Sequence, residues 1–380
     1  MQYVITCFFT VFCTLSAFAQ PELNSWMLNT TGATASYNDG MGTVTLSDSV
    51  NVLQVCYNTT HVYVRSEGQA DYEMGPFNGN PNAPAAQGYT FKIPRMPEEE
   101  TGSKEDNPWA GALGVAVNGV VMYGFGDARS YDVGSNSNSP FGQGIWNSDA
   151  WVSEGSTMDA AGAGHPDQNG NYHHHATPIA LYPDPSTAHS PIVGFAFDGF
   201  PIYGPFGYTD PMNNTSAIKR ISSGYTLRNI TVRTILPDGS VASTPGPDVD
   251  GTFPLGTYSE DYEHTGTNGD LDEYNGRLCI TPDYPGGTYA YFVTTDINGD
   301  PAFPYFVGPT YYGVVSNADI GPNAGNANIP AGVSCGTVSE IQKKDRATDL
   351  SVSPNPFAEQ FTISVNGNVS PYTIDVVNVQ

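Results

Sequence analysis

The run Leu113-Gly114-Val115-Ala116-Val117-Asn118-Gly119-Val120-Val121-Met122-Tyr123 decides the fold class. Two β-prone arms flank an Asn-Gly pair, and these two residues tolerate the left-handed backbone of a tight hairpin turn. The run therefore predicts a β-hairpin. Working outward, the same pattern recurs at Gly42–Leu46, Val50–Tyr57 and His61–Arg65, separated by Ser-Asp-Ser and Asn-Thr-Thr turns. Ile192–Tyr203 and Thr288–Thr294 are further strand candidates. Residues 75–108, rich in Pro, Asn and Gly, read as ordered loop or linker. The 42 Gly and 30 Pro break helices, and the 23 Tyr and 18 Phe suit half-buried pleated surfaces. The expected fold is all-β: a large, irregular, loop-rich antiparallel β domain.

Residues 1–19 read as a signal peptide. Val4–Ala19 is almost wholly apolar and ends on Ala17-Phe18-Ala19, which gives export and a mature N-terminus at Gln20, although Met1-Gln2-Tyr3 carries no basic residue. Elsewhere no run approaches the ~20 apolar residues of a membrane helix, so no membrane span is expected. The 13 basic and 38 acidic residues leave a net charge of −25, which argues against nucleic acid and anionic lipid as partners. Cys7 and Cys13 lie in the signal. Cys56, Cys279 and Cys335 remain for one disulfide and one thiol, and the sequence leaves the pairing open. The shorter loop gives a weak preference to Cys279 with Cys335.

Four of the seven histidines fall in Gly164-His165-Pro166-Asp167-Gln168-Asn169-Gly170-Asn171-Tyr172-His173-His174-His175. Asn169-Gly170 marks a turn, and Tyr172–Ala176 should leave it as a strand. Side chains alternate along a strand, so His173 and His175 share one face and His174 takes the other. An H-x-H pair on one face can converge on an ion, with His165 folding back across the turn as a third ligand. Imidazole suits several first-row metals, and an exported chain favours zinc or copper. Tyr172 and Asp carboxylates are candidate acceptors for the ring N–H groups. Asp198, before Gly199, reads as a turn residue and as an alternative metal ligand. Asp296–Asp300 carries a partial calcium-loop pattern without its distal Glu.

Six motifs in order carry a resemblance: the segment Gly164–His175, His-Ser-Pro-Ile at His189, and Phe-Asp-Gly-Phe-Pro-Ile-Tyr-Gly-Pro at Phe197. They continue with Leu271–Arg277, Thr281–Tyr291 and Phe303–Gly308. Together they resemble the YHYH domain family of secreted bacterial proteins, over about Val62 to Gly313. His174 stands where the family's name has its second Tyr, and Tyr289-Ala290-Tyr291-Phe292 lacks the second His pair of some relatives. The resemblance implies no reaction, and leaves a centre to be completed by His165, His189 or a carboxylate.

At the other end, Ser353-Pro354-Asn355-Pro356-Phe357, Gln360–Val365 and Tyr372–Asn378 resemble the start of the C-terminal sorting domain read by the type IX secretion machinery. The implied organisation is a YHYH-like β domain over 20–315, a linker over 316–348, and the start of a small, truncated β-sandwich sorting domain over 349–380. The type IX machinery would be a partner and the cell surface or medium the destination. Two functions compete. One is a secreted metal-binding protein, a candidate metalloenzyme, with ligands among His165, His173, His175 and Asp198. The other is an adhesion or glycan-binding module using Trp109, Trp146 and Trp151.

Overall fold

The computed structural model describes residues 20–108, 111–182, 187–266, 269–336, 350–353 and 362–365. One compact unit runs Pro21–Thr337, and it is all-β, as the hairpin predicts. Ala112–Ala116 pairs antiparallel with Val121–Tyr123 around Asn118-Gly119. Gly119 has φ +79°, and a Cβ there would meet the Ser66 side chain, so both backbone and space demand glycine. This hairpin sits in the middle of an eight-stranded sheet. The order is Gly164–Pro166, Tyr172–His174, Val121–Tyr123, Ala112–Ala116, Ile192–Ala196, Pro201–Tyr203, Thr288–Phe292 and Gly276–Cys279.

The sheet is mixed where the sequence suggests a purely antiparallel one. Tyr172–His174 runs parallel to Val121–Tyr123, and Pro201–Tyr203 parallel to Thr288–Phe292. Long excursions between these strands supply the crossovers that parallel pairing needs. Phe195, Tyr203, Tyr291 and Phe292 on its strands are buried, each burial worth roughly 1.5–3 kcal/mol.

A four-stranded sheet joins Ser334–Gly336, Val52–Tyr57, His61–Ser66 and Tyr89–Pro94. Two expectations change here. Residues 75–108 are not all loop, because Tyr89–Pro94 pairs along its full length with His61–Ser66. The segment from 316 is no free linker as far as Gly336, since Ser334–Gly336 pairs with Val52–Tyr57 and Ala327 N–H donates to the Thr90 carbonyl at 3.0 Å. The same pairing corrects the disulfide. Cys335 lies directly opposite Cys56 and is bonded to it, while Cys279 is a free, buried thiol on the other sheet. Register outweighs loop length.

In the second unit, Leu350–Ser353 pairs antiparallel with Thr362–Val365. The expected strand at 372–378 and the signal segment lie outside the described residues. No helix among the described residues is long and apolar enough to cross a membrane.

Candidate metal centre

The centre begins with a tight hairpin. Asp167 Oδ1 accepts the N–H groups of Asn169 and Asn171 at 2.7 and 3.1 Å, and Gly170 adopts φ +77°. A Cβ on Gly170 would lie 2.7 Å from that of Ala85, so the loop requires glycine. The turn sets His165 directly opposite His173, with Pro166 opposite Tyr172. Cross-strand partners share a face. His175 lies two residues beyond His173 and returns to it, while His174 turns away.

His165, His173 and His175 are all buried and each offers a ligand nitrogen, with these atoms within 4.8 Å of one another. The ring contacts decide where the protons sit. His173 Nδ1 lies 2.9 Å from the Asn171 carbonyl and His175 Nδ1 lies 3.1 Å from the Gly124 carbonyl. A carbonyl only accepts, so both Nδ1 atoms carry hydrogen. His165 Nδ1 lies 2.7 Å from Thr157 Oγ1, whose own hydrogen goes to the Glu154 carbonyl at 2.8 Å. The Thr157 oxygen therefore accepts from His165. By this network every Nε2 in the neutral tautomers is a bare lone pair. The Nε2 atoms of His173 and His175 stand 3.0 Å apart. Two lone pairs at that distance repel unless a cation stands between them.

Electrostatics favour the neutral rings. Burial pushes His165 down to about 3, with the neighbouring His173 adding to it, and pushes His173 down to about 4. His175 is held well below its ordinary value by burial and then by His173 and His165. Tyr123 stacks on His173 at 4.1 Å between centroids. The centre lines a cleft of about 620 Å³ shared with Asp127, Arg129 and Glu154.

Glu154, which the sequence did not single out, closes the short helix Ala150–Glu154. Its Oε2 lies 3.5 Å from His165 Nε2 and 3.9 Å from His175 Nε2. Burial, then the nearby Asp127 charge, raises it to about 7, with Arg129 opposing. Asp149 caps this helix through Val152 N–H at 3.0 Å and receives the Tyr305 hydroxyl at 2.8 Å.

The remaining candidates fall elsewhere. Asp198 is not in the group. Its fully buried carboxylate accepts from the Tyr291 hydroxyl at 2.6 Å, Gly313 N–H at 2.9 Å and Phe200 N–H at 3.2 Å. That is the turn reading, with Gly199 at φ +94°. His189 packs against Tyr203 and Tyr208. His174 donates from Nδ1 to the Gly162 carbonyl at 2.7 Å on the opposite face. Tyr172 bonds Asp159 at 2.6 Å and serves no ring of the centre; two main-chain carbonyls and a threonine hydroxyl take the roles expected of Tyr172 and aspartates. Asp296 accepts the N–H groups of Asn298 and Asp300 within an ordinary turn. Trp146 is 1% exposed, which rules it out as a glycan platform, and Trp109 lies outside the described residues.

No curated protein and no solved structure matches the chain significantly. The sequence profile described as YHYH protein matches residues 90–303, more than half of the chain, and spans the hairpin and all three histidines. The chain belongs to the YHYH protein family.

Proposed function

We propose that this is an exported metal-binding protein that holds one divalent transition ion, zinc or copper, on His165, His173 and His175. One observation carries the reading: three buried imidazoles aim unprotonated nitrogens at a shared point, and each is oriented by an acceptor behind it. Outer partners of this kind fix the tautomer of metal-binding histidine. An ion about 2.0–2.1 Å from each nitrogen satisfies all three lone pairs at once. The adjoining cleft is lined by all three histidines and gives an ion a route in from solvent.

Elemental analysis of natively purified protein tests this directly. One equivalent of zinc or copper is expected, lost in His173→Ala and in His175→Ala and kept in His174→Ala. Equal ion content in all three variants would remove the site. Export rests on the Ala17-Phe18-Ala19 ending, and delivery by the type IX machinery on the segment from Asp349. N-terminal sequencing of exported protein should begin at Gln20, and deleting residues 349–380 should strand the protein in the periplasm.

A further inference from the structure

We propose that Glu154 is the fourth ligand of this ion, so that the centre is three imidazoles and one carboxylate and ties the helix Ala150–Glu154 to the hairpin. The proposal rests on the three-histidine reading. Bonds of about 2.0–2.1 Å to a tetrahedral ion put neighbouring donor atoms about 3.3 Å apart. Three observed separations lie around that value: 3.0 Å from His173 Nε2 to His175 Nε2, 3.5 Å from Glu154 Oε2 to His165 Nε2, and 3.9 Å to His175 Nε2. Glu154 stands beyond 4.0 Å from His173 and outside the tight three-histidine group, so its side chain must swing inward to complete the shell. The carboxylate cannot be explained as a hydrogen-bond acceptor for these rings. Their Nδ1 atoms are committed to Thr157 and to the Gly124 carbonyl, which leaves Nε2 facing the carboxylate. Among the described residues no N–H or O–H donates to Glu154 Oε1 or Oε2 either. A proton on Glu154 could serve one of these lone pairs only, whereas a metal ion serves the carboxylate and the imidazoles together.

The donor set also narrows the ion. Thiolate is absent from the group, which disfavours copper(I), and three nitrogens disfavour calcium and magnesium, which take oxygen. A borderline divalent ion fits, zinc before the others. Asp127 and Arg129, on the strand Gly126–Asp132, line the same cleft, and their charges act on Glu154 in opposite directions.

The test uses the natively processed chain, with Zn2+ affinity read by competition with a chromophoric chelator and coordination read from the visible spectrum of the Co2+ form. Glu154→Gln should weaken Zn2+ binding about tenfold to a hundredfold and change the Co2+ spectrum, since an anionic oxygen donor is lost. Glu154→Asp, which keeps the charge on a shorter chain, should weaken it too. Metal-free melting of each variant should match wild type, which separates ligand loss from misfolding. If both variants match wild type in affinity and spectrum while His173→Ala binds nothing, Glu154 is not a ligand and the three-histidine site stands. If wild type takes neither ion, both readings fall together.

Discussion

The histidine centre and the Asp198 turn are both buried, both polar and both rich in aromatic neighbours, yet their hydrogen-bond inventories are opposite. At Asp198 one carboxylate meets three donors, from Tyr291, Gly313 and Phe200, and nothing is left over. At the centre three Nε2 atoms face one another beside Glu154, and among the described residues no N–H group is aimed at them. A buried polar group must be satisfied, because leaving it bare costs about 1–3 kcal/mol. The first region is therefore complete as protein, and the second has the makings of a cation site, as the proposed centre requires. Counting donors against acceptors separates a structural knot from a binding site where burial alone does not.

The strongest way to break this contrast is to remove an imidazole. With free zinc at 100 to 1,000 times its Kd, wild type should gain about 2.7–4 kcal/mol over its chelator-treated form, and His173→Ala should gain almost none. A zinc-dependent melting shift that survives in His173→Ala would erase the distinction. Next comes acid. His173 has a folded value of about 4 against about 6.5 unfolded, so the unfolded chain takes the proton first. Its contribution in the metal-free protein is full above pH 6.5 and declines toward pH 4, by a total on the order of 3 kcal/mol. Asp198 runs the other way. Burial raises it to about 6 against its donors, so the folded state takes the proton first, and acid between pH 6 and 3.8 favours folding. Melting temperature against pH should decline less steeply in acid in His173→Ala, with His165, His174 and His175 keeping the rest of the decline, and the decline should steepen in Asp198→Ala.

Two smaller effects sharpen the comparison. Asp198→Ala strands three buried donors and should cost about 2–3 kcal/mol in urea unfolding while ion content stays at the wild-type level. Loss of the ion in that variant would mean the two regions are one site. Asp149→Asn keeps an effective helix cap but loses the charge that receives the Tyr305 hydroxyl, for about 1 kcal/mol. Its zinc affinity should move by less than that of Glu154→Gln, because the helix still forms.

Local chemistry explains which features were legible in the sequence. The Asn118-Gly119 hairpin, the Asn169-Gly170 turn and the alternation of His173, His174 and His175 all follow from spacing, and each is determined within a dozen residues. Glu154 was not legible, because nothing in Ala150-Trp151-Val152-Ser153-Glu154 says that a helix end meets a hairpin centred near Gly170. The acceptors behind the rings are hidden for another reason. Asn171 and Gly124 act through main-chain carbonyls, which every residue has. Asp198 shows the converse: its Asp-Gly turn is local and readable, whereas Tyr291 and Gly313 reach it from about a hundred residues away. Cys56 finds Cys335 across a separation of 279 residues, by a strand pairing that loop length cannot anticipate.

That disulfide turns most of the chain into a covalent ring, with the centre and its cleft inside it. A single peptide-bond cleavage anywhere between Cys56 and Cys335 opens the ring without releasing a fragment. Proteases attack exposed loops first, and a nick at a loop tip would still leave the hairpin and the helix in one molecule. It would migrate as a single species until reduced, so its lifetime as one molecule would be set by reductant as much as by protease.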